Sequence, residues 1–411
     1  MSYDDASDNE EHSLLGRGKQ SEQFRPFTAF LFLVGYTIGS GFLVQAYVFK
    51  EAGIVVATFE YLVAVGFSYY GCQILLDIMN HRNIFHFARV AEDVLGSWGF
   101  YGVNALIITS TMGCMISYFI ILGDILQTIL TSYVGDSSSW YTDLFFLNSC
   151  ITITMLPFCF FKEFPEMTFL CYLTITCVFI AIVFIVVDSL MNASNSSEIN
   201  YASTEGTIAT AGYLLLALGM TVTVPSTYKR LEAPAKLNFN SLVLYAQLLV
   251  GVLLFIEGLI GYLSFRSSTD VNILDNFSGI SGTVFKCIVF VHLVSYMPGW
   301  IVIMRNAFCE VLHVADVQES YTGLLLVTVS TVIGLGFVSA LLSEYYGSST
   351  ALSAVINITG GVSTSFLSFL FPALLGLNSG MDMMWYQTSL CWCMILLTII
   401  VAVAVIYSAV L

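Results

Sequence analysis

An all-α integral membrane protein of about eleven transmembrane helices is the architecture this sequence predicts. Of its 411 residues, 57% are hydrophobic and only 10% charged, and the mean hydropathy is +0.84. A water-soluble domain cannot bury that much apolar surface. The arrangement agrees, because apolar runs of about 20 residues recur along the chain, each long enough to cross hydrocarbon. The spans read as 27–48, 54–78, 99–130, 143–161, 165–190, 206–226, 239–265, 281–311, 320–342, 349–375 and 386–410. The third and eighth exceed the minimum and can tilt or project beyond the bilayer.

Lysine and arginine placement sets the expected orientation. With a cytoplasmic N-terminus, Arg17, Lys19 and Arg25 precede span 1, and Arg82 and Arg89 fall in the next inner loop. Lys162 follows span 4, Lys229, Arg230 and Lys236 follow span 6, and Arg305 lies near the inner end of span 8. Only Arg266 sits in an outer loop, with Lys50 and Lys286 near outer span ends. The sequons at Asn192, Asn195 and Asn276 then all lie in outer loops, as glycosylation requires. A fourth, at Asn357, is mid-span and expected to stay unmodified. Residues 1–24 are polar and acidic and are expected to be a disordered cytoplasmic tail. No cleavable signal peptide is recognisable before span 1, which should act as the anchor. Within the tail, Glu10-Glu11-His12-Ser13-Leu14-Leu15 fits an acidic dileucine sorting signal read by trafficking adaptors. The expected location is therefore the plasma membrane or an endosomal or lysosomal membrane.

Several function classes drop out. The net charge of −15 owes much to Asp4, Asp5, Asp8, Glu10 and Glu11, and no cationic stripe offers a nucleic-acid surface. The ten cysteines lie almost wholly in apolar spans and read as small core residues. Cys391 and Cys393 lack a nearby histidine or second cysteine pair, so no metal site or cofactor is expected. No HExxH, GxSxG or paired-aspartate motif suggests an enzyme, and nothing marks a symmetric polar pore.

Span 1 is interrupted at its centre by Thr37-Ile38-Gly39-Ser40-Gly41. Two glycines and two hydroxyl residues there weaken a helix, and they make sense if the chain unwinds to present backbone groups to a small polar ligand. A second interruption, Leu218-Gly219-Met220-Thr221 with Val224-Pro225, falls in span 6. Matched breaks in the first span of each half point to a secondary transporter's binding site. Spans 1–5 and 6–10, about 27–190 and 206–375, can form two halves of opposite orientation because five is odd, leaving 386–410 peripheral. Freed amides near Gly39, Ser40 and Gly41, at the positive end of a half-helix, suit a carboxylate. Carbonyls at the end of the preceding half-helix suit an ammonium or alkali cation, so an amino acid matches both. In span 6, Pro225 removes a backbone donor and leaves carbonyls near Thr221 available.

These residues resemble the amino acid/auxin permease family over nearly all of 25–375. Ile38-Gly39-Ser40-Gly41-Phe42-Leu43, followed by Tyr47-Val48-Phe49-Lys50-Glu51-Ala52-Gly53, is similar to the family's first-helix signature, with Ala46 in place of the usual proline. Tyr118 with Gly123-Asp124 resembles its third helix, and Pro225, Tyr228 and Leu231 the end of its sixth. Gly258, Gly261-Tyr262 and Phe265 resemble the seventh, Ser295-Tyr296, Pro298 and Arg305 the eighth, and Gly360-Gly361 and Phe371-Pro372-Ala373-Leu374 the tenth. The resemblance implies a LeuT-like core of two inverted five-helix repeats at 25–375, and transport of amino acids or related amines coupled to protons or sodium. Sodium-coupled members carry asparagine four residues before the first signature glycine. This chain has Gly35 there, which turns the expectation from Na+ toward H+ coupling or uniport.

The expected substrate neighbours are Thr37, Ile38, Gly39, Ser40, Gly41, Tyr118, Gly219, Met220, Thr221 and Ser295. Their lack of charge favours a small or medium neutral amino acid. Ionisable residues inside spans are costly and so are functional candidates. His292 and Asp124 lead for ion coupling, His292 because it changes charge near neutral pH. Glu60 and Glu257 follow, and Arg305 is expected to snorkel or to form a gating ion pair. The rival expectation is a membrane amino-acid sensor that binds without moving its ligand; the short tail favours transport.

Overall fold

The computed structural model describes residues 24–134, 139–161, 168–192, 198–312 and 321–410. Glu10, Leu14, Leu15 and Asn195 lie outside the described residues, and Asn192 is the last residue of its helix. Span 1 is two helices, α1 (Pro26–Ile38) and α2 (Gln45–Ala52), joined through a 3-10 turn at Gly41–Val44 and bent by 43°. Pro26 opens α1, where its missing N–H costs nothing. Then come α3 (Ile54–Arg82), the short amphipathic α4 (Phe87–Leu95) and α5 (Ser97–Val134). The 38 residues of α5 rise about 57 Å, well beyond the hydrocarbon thickness, as its apolar length predicts.

Span 4 is shorter than a clean crossing. It consists of α6 (Leu144–Met155) and a 3-10 stretch, Leu156–Phe160, beginning beside Pro157. Next are α7 (Thr168–Asn192) and a broken span 6, α8 (Thr204–Leu218) and α9 (Thr223–Arg230). The remaining helices are α10 (Phe239–Phe265), α11 (Gly279–Val311), α12 (Tyr321–Tyr346), α13 (Ser348–Ile358), α14 (Phe371–Asn378) and α15 (Trp385–Val410). Span 10 runs from α13 into α14 through two π-helical stretches, Thr359–Thr364 and Phe366–Leu370. Among the described residues, nine helices are long and apolar enough to cross a bilayer, and broken span 1 makes a tenth. No strand occurs among the described residues, only an isolated pairing of Phe24 with Leu231.

Spans 6 and 10 form the centre: 72% of each apolar window is buried, against 33% for α7 and α12. From Leu33 to Phe49, only Tyr47 in span 1 is not fully buried. The outer helices turn Phe59, Leu62, Phe169, Phe179, Ile399 and Val403 outward. So much exposed apolar surface suits a lipid neighbour rather than water. One end of the bundle gathers the loop cations. There Arg82 pairs with Asp93 at 3.5 Å, Lys229 meets His86 at 3.0 Å, and Lys236 sits over Tyr228. Backbone bonds from Phe24 N to Arg230 O and from Glu232 N to Phe24 O hold the start of the described chain against the end of span 6.

Candidate functional site

The break in span 1 is set by one backbone conformation. Gly39 adopts φ 51 and ψ −135, which is open to glycine and strained for any L side chain. The helix ends there, and Gly41 starts the 3-10 turn, so both residues lie where backbone groups leave the α-helical ladder. The carbonyls released by α1 have partners from α11. His292 Nε2 lies 2.9 Å from Gly39 O, and Tyr296 Oη donates to Tyr36 O at 2.6 Å. The other ring nitrogen of His292 lies 3.2 Å from Thr174 O, so one imidazole ties the break to α7 as well. A singly protonated ring donates to only one of these two oxygens. Thr37 Oγ1 donates back to Leu33 O at 2.6 Å, while Ile38 and Ser40 are buried beside it.

The break in span 6 covers Gly219 to Val222. Here too side chains reach in from elsewhere. Leu218 O accepts from Ser68 Oγ at 2.8 Å and from Gln247 Nε2 at 3.2 Å. Met220 O accepts from both the amide and hydroxyl of Thr223, and Thr221 Oγ1 lies 3.7 Å from Cys72 Sγ. Pro225 lies past the break, in the first turn of α9, where its lost N–H would otherwise have faced Thr221 O.

The two broken helices meet beside their breaks. A Cβ on Gly41 would stand 2.5 Å from Ala217 Cβ, and one on Gly219 would stand 2.3 Å from Thr364 Cγ2. These two glycines therefore serve close helix approach. A Cβ on Gly39 would lie 3.2 Å from the hydroxyls of both Tyr118 and Tyr296. The Tyr36, Tyr118 and Tyr296 rings form one cluster, with Tyr296 stacked on His292 at 5.5 Å. A crevice lined by Ser68, Leu218, Gly219, Thr364 and Ser368 is too tight for a water molecule. At the break in span 6 the helices are therefore closely packed.

Ser295 is buried on α11, and its hydroxyl donates to Val291 O at 2.7 Å within the helix. His292 and Asp124 have different surroundings: His292 faces the break, whereas Asp124 neighbours Lys286 and Ser348. Nearby Asp275, in the loop before span 8, is exposed on one side, yet partial desolvation against the bundle and then the Asp124 charge push its carboxyl up to about 7, with Lys286 opposing. Arg305 does not snorkel; it is fully buried and donates to Cys159 O at 3.3 Å, at the end of short span 4. The Asn276 amide nitrogen donates to Ser268 O at 2.8 Å and contacts Asp270, so it braces its loop. Sequence reasoning missed Ser68 and Gln247 as caps. It also missed the π-helical hydroxyl run of span 10, in which Ser363 and Thr364 meet Thr109 and Ser110 of α5. The Thr/Ser density of 359–368 beside two glycines was the available signal.

Comparison with known proteins agrees with this geometry. Mouse solute carrier family 38 member 10 is 20% identical over 360 residues, covering 84% of this chain and 32% of that protein. The chain thus spans about a third of that relative's length. Amino acid transporter AVT6E of Arabidopsis thaliana is 22% identical over 424 residues, covering 95% of this chain and 84% of that protein. Among solved structures, a manganese transporter from Eremococcus coleocola matches with a TM-score of 0.54 at 12% identity, covering 93% and 85% of the two chains. MhsT in complex with L-phenylalanine matches with a TM-score of 0.52 at 14% identity, covering 92% and 98%. At such identities the structures speak for the fold alone, which is that of the LeuT-type transporters. Residues 23–411 match the family described as transmembrane amino acid transporter protein, and the chain belongs to that family.

Proposed function

We propose that this multi-pass transporter moves small or medium neutral amino acids by alternating access, coupled to protons or running as a uniporter rather than coupled to sodium. The observation that carries this reading is the contact between two broken helices at Gly41 and Ala217. Both breaks carry backbone polar groups into a largely buried region, where groups without partners cost several kcal/mol. In this reading the polar backbone of the substrate is held by Thr37 to Gly41 and by Gly219 to Thr221, with Tyr118 and Ser295 on the facing wall. The absence of charge among these side chains is the ground for a neutral substrate. Gly35 in place of a side-chain oxygen weighs against sodium, and its tight contact with Ile175 leaves little space to add one. His292, which holds Gly39 O, and Asp124 remain the candidates for ion coupling. Spans 1–5 and 6–10 would act as the two moving halves.

The test is uptake of radiolabelled amino acids into proteoliposomes under separate proton and sodium gradients. Accumulation of alanine, glutamine or leucine under the proton gradient, or equilibration without one, is the expected result. Sodium-dependent accumulation would overturn the coupling reading, and preference for arginine or glutamate would overturn the substrate class. Binding without flux would replace transport by sensing.

A further inference from the structure

Away from the His292 cluster, the bundle buries a second titratable group with no counterpart to its charge. Glu257 on α10 is fully buried, and neither of its carboxyl oxygens has a hydrogen-bond partner. Tyr61 of α3 packs against the same stretch of helix, with its hydroxyl 3.3 Å from Leu254 O and its ring against Phe49 and Phe255. The Tyr61 hydroxyl also donates to Gln45 Oε1 at 2.5 Å, and the Gln45 amide donates to Gly41 O at 2.6 Å. Gly258 permits this approach, since a Cβ there would stand 3.0 Å from the Gln45 carbonyl. Hydrogen bonds therefore run from Tyr61 through Gln45 to the broken part of span 1, and Tyr61 lies within electrostatic reach of Glu257.

The other ionisable groups of the surrounding helices give Glu257 no ion pair. On α3, half-buried Glu60 has an oxygen without a partner, and Tyr61 lies within electrostatic reach of both glutamates. On α2, Lys50 donates to Thr269 O and sits over Tyr47, with Glu51 beside that tyrosine. Tyr36 of α1 is engaged with Cys171 of α7, and Tyr262 of α10 accepts from Asn200 N. Among the described residues no salt bridge involves Glu60 or Glu257. An ionised carboxylate without donors or a cation in such a place is costly, whereas a protonated carboxyl carries no charge.

We propose that Glu257 is a proton-binding site of this protein, linked through Tyr61 and Gln45 to the break in span 1. The ligand is a proton, taken from water onto a carboxylate oxygen and returned to water when the bundle opens. With the proton in place, the uncharged carboxyl makes no demand on Tyr61, which gives its own hydrogen to Gln45. With the proton gone, the carboxylate competes for that hydrogen, and Gln45 loses the partner that orients its amide toward Gly41 O. The inference deepens the proton-coupled form of the carrier reading and rests on it for its consequence, not for the existence of the site.

The experiment uses the full chain reconstituted in lipid, as wild type, Glu257→Gln and Glu60→Gln. Infrared difference spectra between acid and alkaline buffer report the carbonyl stretch of a protonated carboxyl. The expected result is a band lost in Glu257→Gln and kept in Glu60→Gln; a band unchanged in Glu257→Gln overturns the site. Parallel assays follow amino-acid exchange and pH-gradient-driven accumulation. In Glu257→Gln, exchange should persist while accumulation falls at least about tenfold toward equilibration. Accumulation retained in that variant overturns the link to transport. A wild type that shows the band but no proton-driven accumulation rejects proton coupling while supporting the site.

Discussion

Replacing Gly39 with alanine would separate the two restraints on the break in span 1. At φ 51 and ψ −135 a side chain costs about 1–3 kcal/mol in backbone strain. The added Cβ would also stand 3.2 Å from two tyrosine hydroxyls. Tyr296 cannot retreat freely, because it donates to Tyr36 O at 2.6 Å, and giving up that bond costs about 1 kcal/mol. The sum is about 2–4 kcal/mol, or about 30- to 1,000-fold in the population of this conformation. Chemical unfolding in micelles and amino-acid exchange in proteoliposomes would read the two consequences. Adding Tyr118→Phe removes one of the two crowding oxygens, so it should recover only that contact and leave both the Tyr296 contact and the strain. If Gly39→Ala unfolds within about 0.5 kcal/mol of wild type, in the range of an ordinary surface change, the argument from backbone geometry fails.

Three further outcomes follow from contacts described above. Ser68→Ala alone should cost about 0.5–1.5 kcal/mol, because Gln247 still reaches Leu218 O. The double variant with Gln247→Ala should cost more than the two singles summed, and an additive double-mutant cycle would show that they do not share that carbonyl. His292→Ala leaves Gly39 O and Thr174 O without their imidazole and should lower stability by about 2 kcal/mol or more, with His292→Gln recovering part; equal loss in both variants would reduce the histidine to a space-filler. Asp275, whose carboxyl is raised to about 7, binds its proton more tightly folded than unfolded. Stability should therefore be highest below about pH 4, fall as pH rises toward 7, and level off above it. The residue keeps solvent contact, so screening reduces the size of the effect. Asp275→Asn should flatten that slope in an unfolding titration, and an unaltered slope would assign it to another group.

The helices and the two breaks were legible because both are written locally. An apolar run of about 20 residues has few alternatives to a span, and Gly39-Ser40-Gly41 or Gly219 weakens a helix at its own position. The shortness of span 4 was less visible, since Phe158, Phe160 and Phe161 continue the apolar run after Pro157 has ended the regular helix. Pro225 drew attention to span 6, but the break lies earlier, and the proline is accommodated in the turn that follows. What the sequence could not display were partners far apart in the chain. Ser68 and Gln247 meet at Leu218 O, and Thr174 and Gly39 meet on His292. Nothing in their immediate neighbours marks them as caps. Arg305 looked like an interfacial cation for the same reason, because its acceptor at Cys159 O comes from another span.

The caps on the broken helices have a thermodynamic consequence for any guest. Leu218 O and Tyr36 O already accept from side chains of the protein, and Gly39 O lies 2.9 Å from His292 Nε2. A molecule whose ammonium took those oxygens would displace existing donors, so hydrogen bonds would be exchanged rather than added. The heat released on binding should then be small, and most of the free energy would come from the apolar part of the guest and from shape. A carrier working as proposed would then hold its cargo loosely enough to let it go, and calorimetry across a series of side-chain lengths should show affinity rising with carbon count while the enthalpy stays nearly flat.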